Sequence, residues 1–177
     1  MNYLRENPVG IDADIIKIQT YLYENIINRW CLEDFNGYGR VYKNKKNSLI
    51  IPEYYVSEKE YEEVLLDDRL NGIMFFSPSD TADVYGDLII QECDVIFTFN
   101  LASIEFSNER EDEKIRQLIL ADLNDYLARK DFVKQIQTGL TNVYGDYKGV
   151  ADYFHDMQNF HHFKIRLELR FNNKKCI

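Results

Sequence analysis

No apolar run in this chain approaches the roughly 20 residues that a membrane-crossing helix needs, because charged residues interrupt every candidate stretch well short of that length. That predicts no membrane association. The amino terminus, Met1-Asn2-Tyr3-Leu4-Arg5-Glu6-Asn7-Pro8, lacks an apolar signal core and a cleavage motif, so the chain is expected to stay in the cytoplasm where it is made. Cysteine is equally sparse. Cys31, Cys93 and Cys176 are odd in number, far apart and without the paired spacings of metal knuckles or redox motifs, so they read as reduced thiols.

Positive charge is also in short supply. The net charge of -9 argues against general nucleic-acid binding, which needs concentrated Lys and Arg. The distribution is more telling than the sum: 17 acidic and 3 basic residues lie between Glu53 and Glu113, against 13 acidic and 18 basic elsewhere. If the two sets occupy different faces, copies can stack head to tail, the geometry that closes rings when the rotation allows. A solvated acidic surface without a partner is the other reading. Methionine is scarce and aromatics are plentiful, with 13 Tyr and 11 Phe. Tyrosine suits cores and protein contact surfaces alike, since it can be half-buried with its hydroxyl wet.

At 177 residues and 45% hydrophobic, the chain is long enough for one domain, residues 1–177, that needs no disulfide or metal to hold it. Asp12 is expected to cap a helix in which Ile15, Ile18, Leu22, Ile26 and Trp30 recur at helical spacing, widened by Ile16, Tyr23 and Ile27. Asn36-Gly37-Tyr38-Gly39 reads as a turn before a hairpin made of Arg40–Lys43 and Ser48–Ile51. Residues 40–47 and 53–70 are predicted to be extended loops or hairpin arms. Between Ser57 and Leu66 a capping box, Ser57 with Glu60, competes with a strand-like run from Tyr61 to Leu66, and strand is the expectation.

Ile73–Phe76 reads as a short buried strand, and the alternation from Leu88 to Leu101 as the long strand at the centre of the sheet, with one well-buried face. Asn108 and Glu111 form a capping box for a second long helix bearing Ile115, Leu118, Ile119, Leu123, Tyr126 and Leu127. Val133–Thr138 is a further strand, and Leu140, Val143, Tyr144 and Tyr147 mark a short helix. Phe163, Ile165, Leu167, Leu169 and Phe171 alternate with Lys164, Arg166, Glu168 and Arg170, giving a strand with one core face and one charged face. Strands between separated helices predict an α+β fold: a mainly antiparallel sheet with an N-terminal helix and a second long helix packed on one face.

Chemistry is hard to find. His155, His161 and His162 gather near Asp152 and Asp156, the best candidate for a metal or acid–base site. Their spacing is poor for it. A separation of six plus an adjacent pair suits neither a helix nor a strand, and His161 and His162 must point in opposite directions if they begin a strand. Gly37-Tyr38-Gly39 lacks the rest of a dinucleotide loop, no phosphate-binding Gly-Lys-Ser/Thr occurs, and no serine or cysteine sits in a nucleophile elbow. Glu62-Glu63, Asp67-Asp68 and Glu111-Asp112-Glu113 read as solvated faces. No catalytic, cofactor or metal residue is therefore expected. The basic stretch Arg40, Lys43, Lys45 and Lys46, with Tyr38 and Tyr42 interleaved, fits either phosphate contact or subunit contact.

The order of these pieces resembles a set of small virion proteins from crAss-like and related phages of Bacteroidetes hosts. The likeness rests on the helix ending near Trp30, Tyr38-Gly39-Arg40-Val41-Tyr42-Lys43-Asn44, Pro52-Glu53-Tyr54-Tyr55, Tyr61–Asp68, Phe75-Phe76 and Asp156-Met157-Gln158-Asn159-Phe160-His161. Such proteins are similar in layout to tail-terminator and head–tail joining proteins. The resemblance implies a structural protein of the phage neck or tail that forms a homo-oligomeric ring, joins portal to tail and lets DNA pass without sequence-specific binding. Its implied partners are further copies of itself and the portal or adjacent ring proteins, with no catalysis and no cofactor. Its expected location is the virion. On that expectation Arg40, Lys43, Lys45, Lys46, Tyr54, Tyr55 and Tyr153 are the candidate inter-subunit contacts. The alternatives are an acidic inhibitor or immunity-type protein, which predicts one continuous acidic face, and a small His/Asp hydrolase.

Overall fold

A computed structural model of the chain describes residues 1–57, 60–64, 69–104, 112–127, 132–150 and 159–172. The helix predicted from Asp12 is α1, Ile11–Trp30, and its apolar stripe of Ile15, Ile18, Leu22 and Ile26 is buried as the spacing demands. The cap is not Asp12. Gly10, at φ 59°, precedes the helix, and Asp12 lies in the first turn, where a carboxylate favours the positive end of the helix dipole. Cys31 closes α1 in the left-handed conformation, its N–H donating to the Ile27 carbonyl.

Among the described residues nine strands follow the order of the chain as β1 (Asn2–Tyr3), β2 (Phe35–Lys46), β3 (Leu49–Ser57), β4 (Glu60–Glu63), β5 (Gly72–Pro78), β6 (Asp83–Tyr85), β7 (Leu88–Asn100), β8 (Val133–Thr138) and β9 (Phe160–Asn172). They make one sheet in the order β4-β3-β2-β5-β7-β9-β8, with β1 added to β2 and β6 added to β7. The fold is α+β, but the expected mainly antiparallel sheet is corrected to a mixed one, because β1 and β5 both run parallel to β2. The chain returns from the β3–β4 excursion on the far side of β2, and that return fixes the parallel direction.

The second correction concerns Asn36-Gly37-Tyr38-Gly39, which is strand β2 and not a turn. Its glycines serve close approach. A Cβ on Gly37 would come within 2.9 Å of the Tyr23 ring, and one on Gly39 within 2.9 Å of Gln19 Oε1. The fully buried Gln19 uses that proximity, its Nε2 donating to Asn2 Oδ1 at 2.7 Å, the Tyr3 carbonyl at 2.9 Å and the Gly37 carbonyl at 3.1 Å.

The two long helices share one face of the sheet, as expected, and a short one covers the other. Helix α1 and α2 (Asp112–Leu127) pack over Phe76, Val95, Phe97, Phe99, Phe163 and Ile165, and are joined to each other by a bidentate Arg29–Asp122 pair at 2.6 and 2.7 Å. On the opposite face α3 (Leu140–Val143) and the residues after it set Val143, Tyr144, Tyr147 and Val150 over Phe75 and Ile96. The central strand β7 is consequently buried on both sides from Cys93 to Phe99. Even the "charged" face of β9 is partly enclosed. Lys164 is only 6% exposed. The capping box Asn108/Glu111 lies outside the described residues, as do Leu65 and Leu66 of the strand expected over Tyr61–Leu66, whose start falls in β4, Glu60–Glu63. No described helix is long and apolar enough to cross a membrane.

Candidate functional site

Among the described residues, three places concentrate polar chemistry or exposed aromatic surface, and the register of the sheet accounts for each. The first is a cleft of about 790 Å³ where the sheet forks. Strand β1 pairs with β2 only as far as Tyr38, and β3 pairs with β2 only from Val41 onward, so Gly39 and Arg40 line the floor between them. Asp12, 6% exposed, is held there between two arginines: Arg5 is hydrogen-bonded to its Oδ2, and Arg40 stands 3.5 Å from its Oδ1. Arg40 also lies over the Tyr42 ring at 5.2 Å. Tyr3, Tyr54 and Tyr55 complete the wall, with Glu6 beside them, and Tyr3 stacks on Tyr38 at 4.6 Å. Burial raises the Tyr38 phenol to about 12, so this tyrosine acts as a neutral donor and an apolar plate.

The second place, on the other face, is a polar cleft of about 310 Å³ lined by Lys43, Ser77, Asp80, Asp94, Asp146 and Arg166, among others. Its fixed point is Asp94, directly opposite Arg166 in the β7/β9 register. Arg166 donates to it through Nε at 2.7 Å and Nη2 at 3.1 Å, and Lys164 Nζ lies 3.0 Å away. Burial alone would raise the Asp94 carboxyl, but hydrogen bonds from Arg166 and Lys164 outweigh it and hold the group below the ordinary 3.8. Tyr147 donates to Ser77 Oγ at 2.7 Å, and Lys43 reaches Asp146 at 3.0 Å across the mouth. The carboxylate is saturated by its cations, which fits a clamp between strands better than a group waiting for a substrate. Sequence reading missed this cluster. The available signal was a lone aspartate inside the apolar run from Cys93 to Phe99.

The third place is a projecting arm. Strand β6 folds back on β7 through Gly86-Asp87, with Gly86 at φ +63°, and the tip leaves Val84 and Tyr85 each 64% exposed. A second arm, β3 with β4, exposes Tyr55, Val56 and Tyr61. Tyr55 and Tyr61 face each other across the strands with rings 5.5 Å apart. The 83–87 arm escaped the sequence reading although Val84-Tyr85-Gly86-Asp87-Leu88 carries a hairpin turn between apolar residues.

The predicted contact residues scatter over these places. Arg40 belongs to the fork cleft, Lys43 to the polar cleft, and Lys46 pairs with Glu53 and Glu63 at 3.2 and 2.5 Å, while Lys45 is exposed at the β2–β3 turn. Tyr54 is half-buried and donates to Glu62 at 2.7 Å, Tyr55 is exposed, and Tyr153 lies outside the described residues. The 40–47 segment is therefore strand and hairpin, with most of its cations already matched to carboxylates. The same pairings answer the charge question. Acids from the 53–113 stretch interleave with cations from elsewhere, as in Glu53 with Lys46 and Asp94 with Lys164 and Arg166.

His161 and His162 open strand β9 and point to opposite faces, as their adjacency requires, and His155 lies outside the described residues. His161 Nδ1 stands 3.4 Å from Asp112 on the α2 side. His162, on the α3 side, bonds through Nδ1 to Thr98 Oγ at 2.9 Å, and Thr98 in turn bonds to Tyr144 at 2.8 Å. Among the described residues no group of three or more His, Cys, Asp and Glu converges on a common point. Burial, with a smaller contribution from His161, lowers His162 from 6.5 to about 4. A base depressed in the folded state stabilises fully above 6.5 and loses that contribution as pH falls toward 4, because the unfolded chain takes up the proton first. At about 1.4 kcal/mol per pH unit the loss amounts to roughly 3 kcal/mol. Urea denaturation at pH 7 and pH 4 should therefore show a steeper decline for the wild type than for His162→Gln. Equal declines would mean that the imidazole titrates normally in the fold.

A comparison with protein-family models gives no match to this chain, and a comparison with curated proteins gives none either.

Proposed function

We propose that this chain is a structural subunit, without catalytic activity or cofactor, that forms a homo-oligomeric ring in the neck or tail of a bacteriophage, contacts the portal or a neighbouring ring, and lets DNA pass. The observation that carries the reading is where the leftover apolar surface sits: Val84 and Tyr85 stand 64% exposed at a hairpin tip, and Tyr55, Val56 and Tyr61 on a second hairpin. Isolated arms that hold aromatic and branched side chains in water have no use inside one copy. They suit contact with another.

Supporting features are the exposed acids Glu60, Glu62 and Glu63 on the edge strand β4, which would repel a phosphate backbone and favour sliding over binding. The mixed sheet clad by helices is compatible with a tail-terminator-like layout, which belongs to the same proposal. An acidic inhibitor would present one unbroken acidic face, and the insertion of Lys46, Lys43, Lys164 and Arg166 among the acids works against that. A His/Asp hydrolase needs convergent histidines, whereas His161 and His162 lie on opposite faces of β9. The test is the size of the purified wild-type chain in solution. A single closed oligomer several times the 21.1 kDa monomer supports the reading, and recovery of the chain from purified particles would locate it.

A further inference from the structure

Among the described residues, the 83–87 hairpin tip and the fork cleft complement each other in polarity and charge. We infer that the hairpin tip of one copy seats in the fork cleft of the next, so that one contact, repeated head to tail, builds the assembly. The inference rests on the ring reading above and names the surfaces that would make the ring.

The tip carries two apolar side chains, Val84 and Tyr85, between two exposed carboxylates, Asp83 and Asp87. The cleft offers the converse. Its walls are tyrosine rings and Val56, and its floor holds Arg5 and Arg40, side chains 46% and 36% exposed. These two guanidiniums share the single carboxylate of Asp12, and each carries more N–H donors than that carboxylate uses. A guest bearing carboxylates would take up the remainder, and bidentate Arg–carboxylate geometry would set its register. At about 790 Å³ the cleft falls in the ~300–1,000 Å³ range of pockets that enclose a guest, room enough for a hairpin tip.

The arm is built from β6 and β7 and the cleft from residues of β1, β2, β3 and α1, so the two are different patches. A contact between different patches is heterologous, and heterologous contacts propagate into rings when the rotation closes.

The test replaces Tyr85 with the photoreactive benzoylphenylalanine in the full chain and irradiates a mixture of isotope-labelled and unlabelled copies. Cross-links between copies, joining residue 85 to residues 2–6 or 54–57, are the expected result. In parallel, Val84→Ser with Tyr85→Ser, both at exposed positions, should shift the assembly to monomer with at least a tenfold weaker association while leaving the unfolding midpoint in place. Cross-links confined to other segments, or an assembly unchanged in the double variant, would overturn the arm-in-cleft contact and leave the ring reading standing. A wild-type chain that stays monomeric would remove both.

Discussion

Replacing Asp94 with alanine is expected to cost about 3–5 kcal/mol of folding stability, the range for stranding the partners of a buried ion pair. Lys164 is 6% exposed and sits 3.0 Å from this carboxylate, with Arg166 bonded to it through two nitrogens. Without Asp94 the buried Lys164 would lose its counter-ion while Arg166 still stands beside it. Part of the loss should return when Lys164 is also changed, as Asp94→Ala with Lys164→Met, because an apolar side chain needs no counter-ion. Urea midpoints for the single and double variants decide the matter. A loss under about 1 kcal/mol in the single variant would mean that water screens the cluster as it does a surface pair.

The second large effect is expected at Gly72, where β5 begins. A Cβ there would stand 2.4 Å from the Thr98 carbonyl and 3.0 Å from two atoms of the Phe35 ring. Neither neighbour can yield cheaply: Thr98 belongs to the doubly buried stretch of β7, and Phe35 is fully buried against Phe99. Gly72→Ala should therefore destabilise by ~3 kcal/mol or more, the upper end for overpacked cores. A midpoint within a few tenths of wild type would show that the strand end relaxes freely. Gly86, with nothing within 4 Å of its added Cβ, is the contrast; there the positive φ alone is the constraint.

These two sites also show how far the sequence could be read. Period-two patterns located β7 and β9 because their odd residues, Val95, Phe97 and Phe99 with Phe163, Ile165 and Leu167, make up the α1/α2 side of the core. Helix α1 was legible for the matching reason at period 3.6. The even residues of β7 and β9 misled. Asp94, Thr98, His162 and Lys164 look solvent-facing by pattern, yet α3 and the residues after it, Tyr144 and Tyr147 among them, pack on this face, and buried ion pairs and hydroxyl bonds satisfy them. Nothing local announces that cover. Gly37 and Gly39 misled in another way, since a missing Cβ signals both turns and close packing, and only the position of Gln19 and Tyr23 over β2 tells them apart.

Counting charges along the chain suggested separate acidic and basic surfaces, but antiparallel pairing brings distant segments side by side, and Glu53, Glu63 and Asp94 find their cations across strands. Among the described residues, unmatched surface remains at the arm of Val84 and Tyr85 and in the fork cleft around Arg5 and Arg40. They became visible only once the register had fixed which strands end early.

The claim that these surfaces exist to hold further copies of the same chain is tested most directly by native mass spectrometry of the wild-type protein over a hundredfold range of concentration. One closed oligomer of fixed copy number, persisting on dilution until it falls apart to monomer, is the predicted result. A spectrum of monomer alone at every concentration would contradict it.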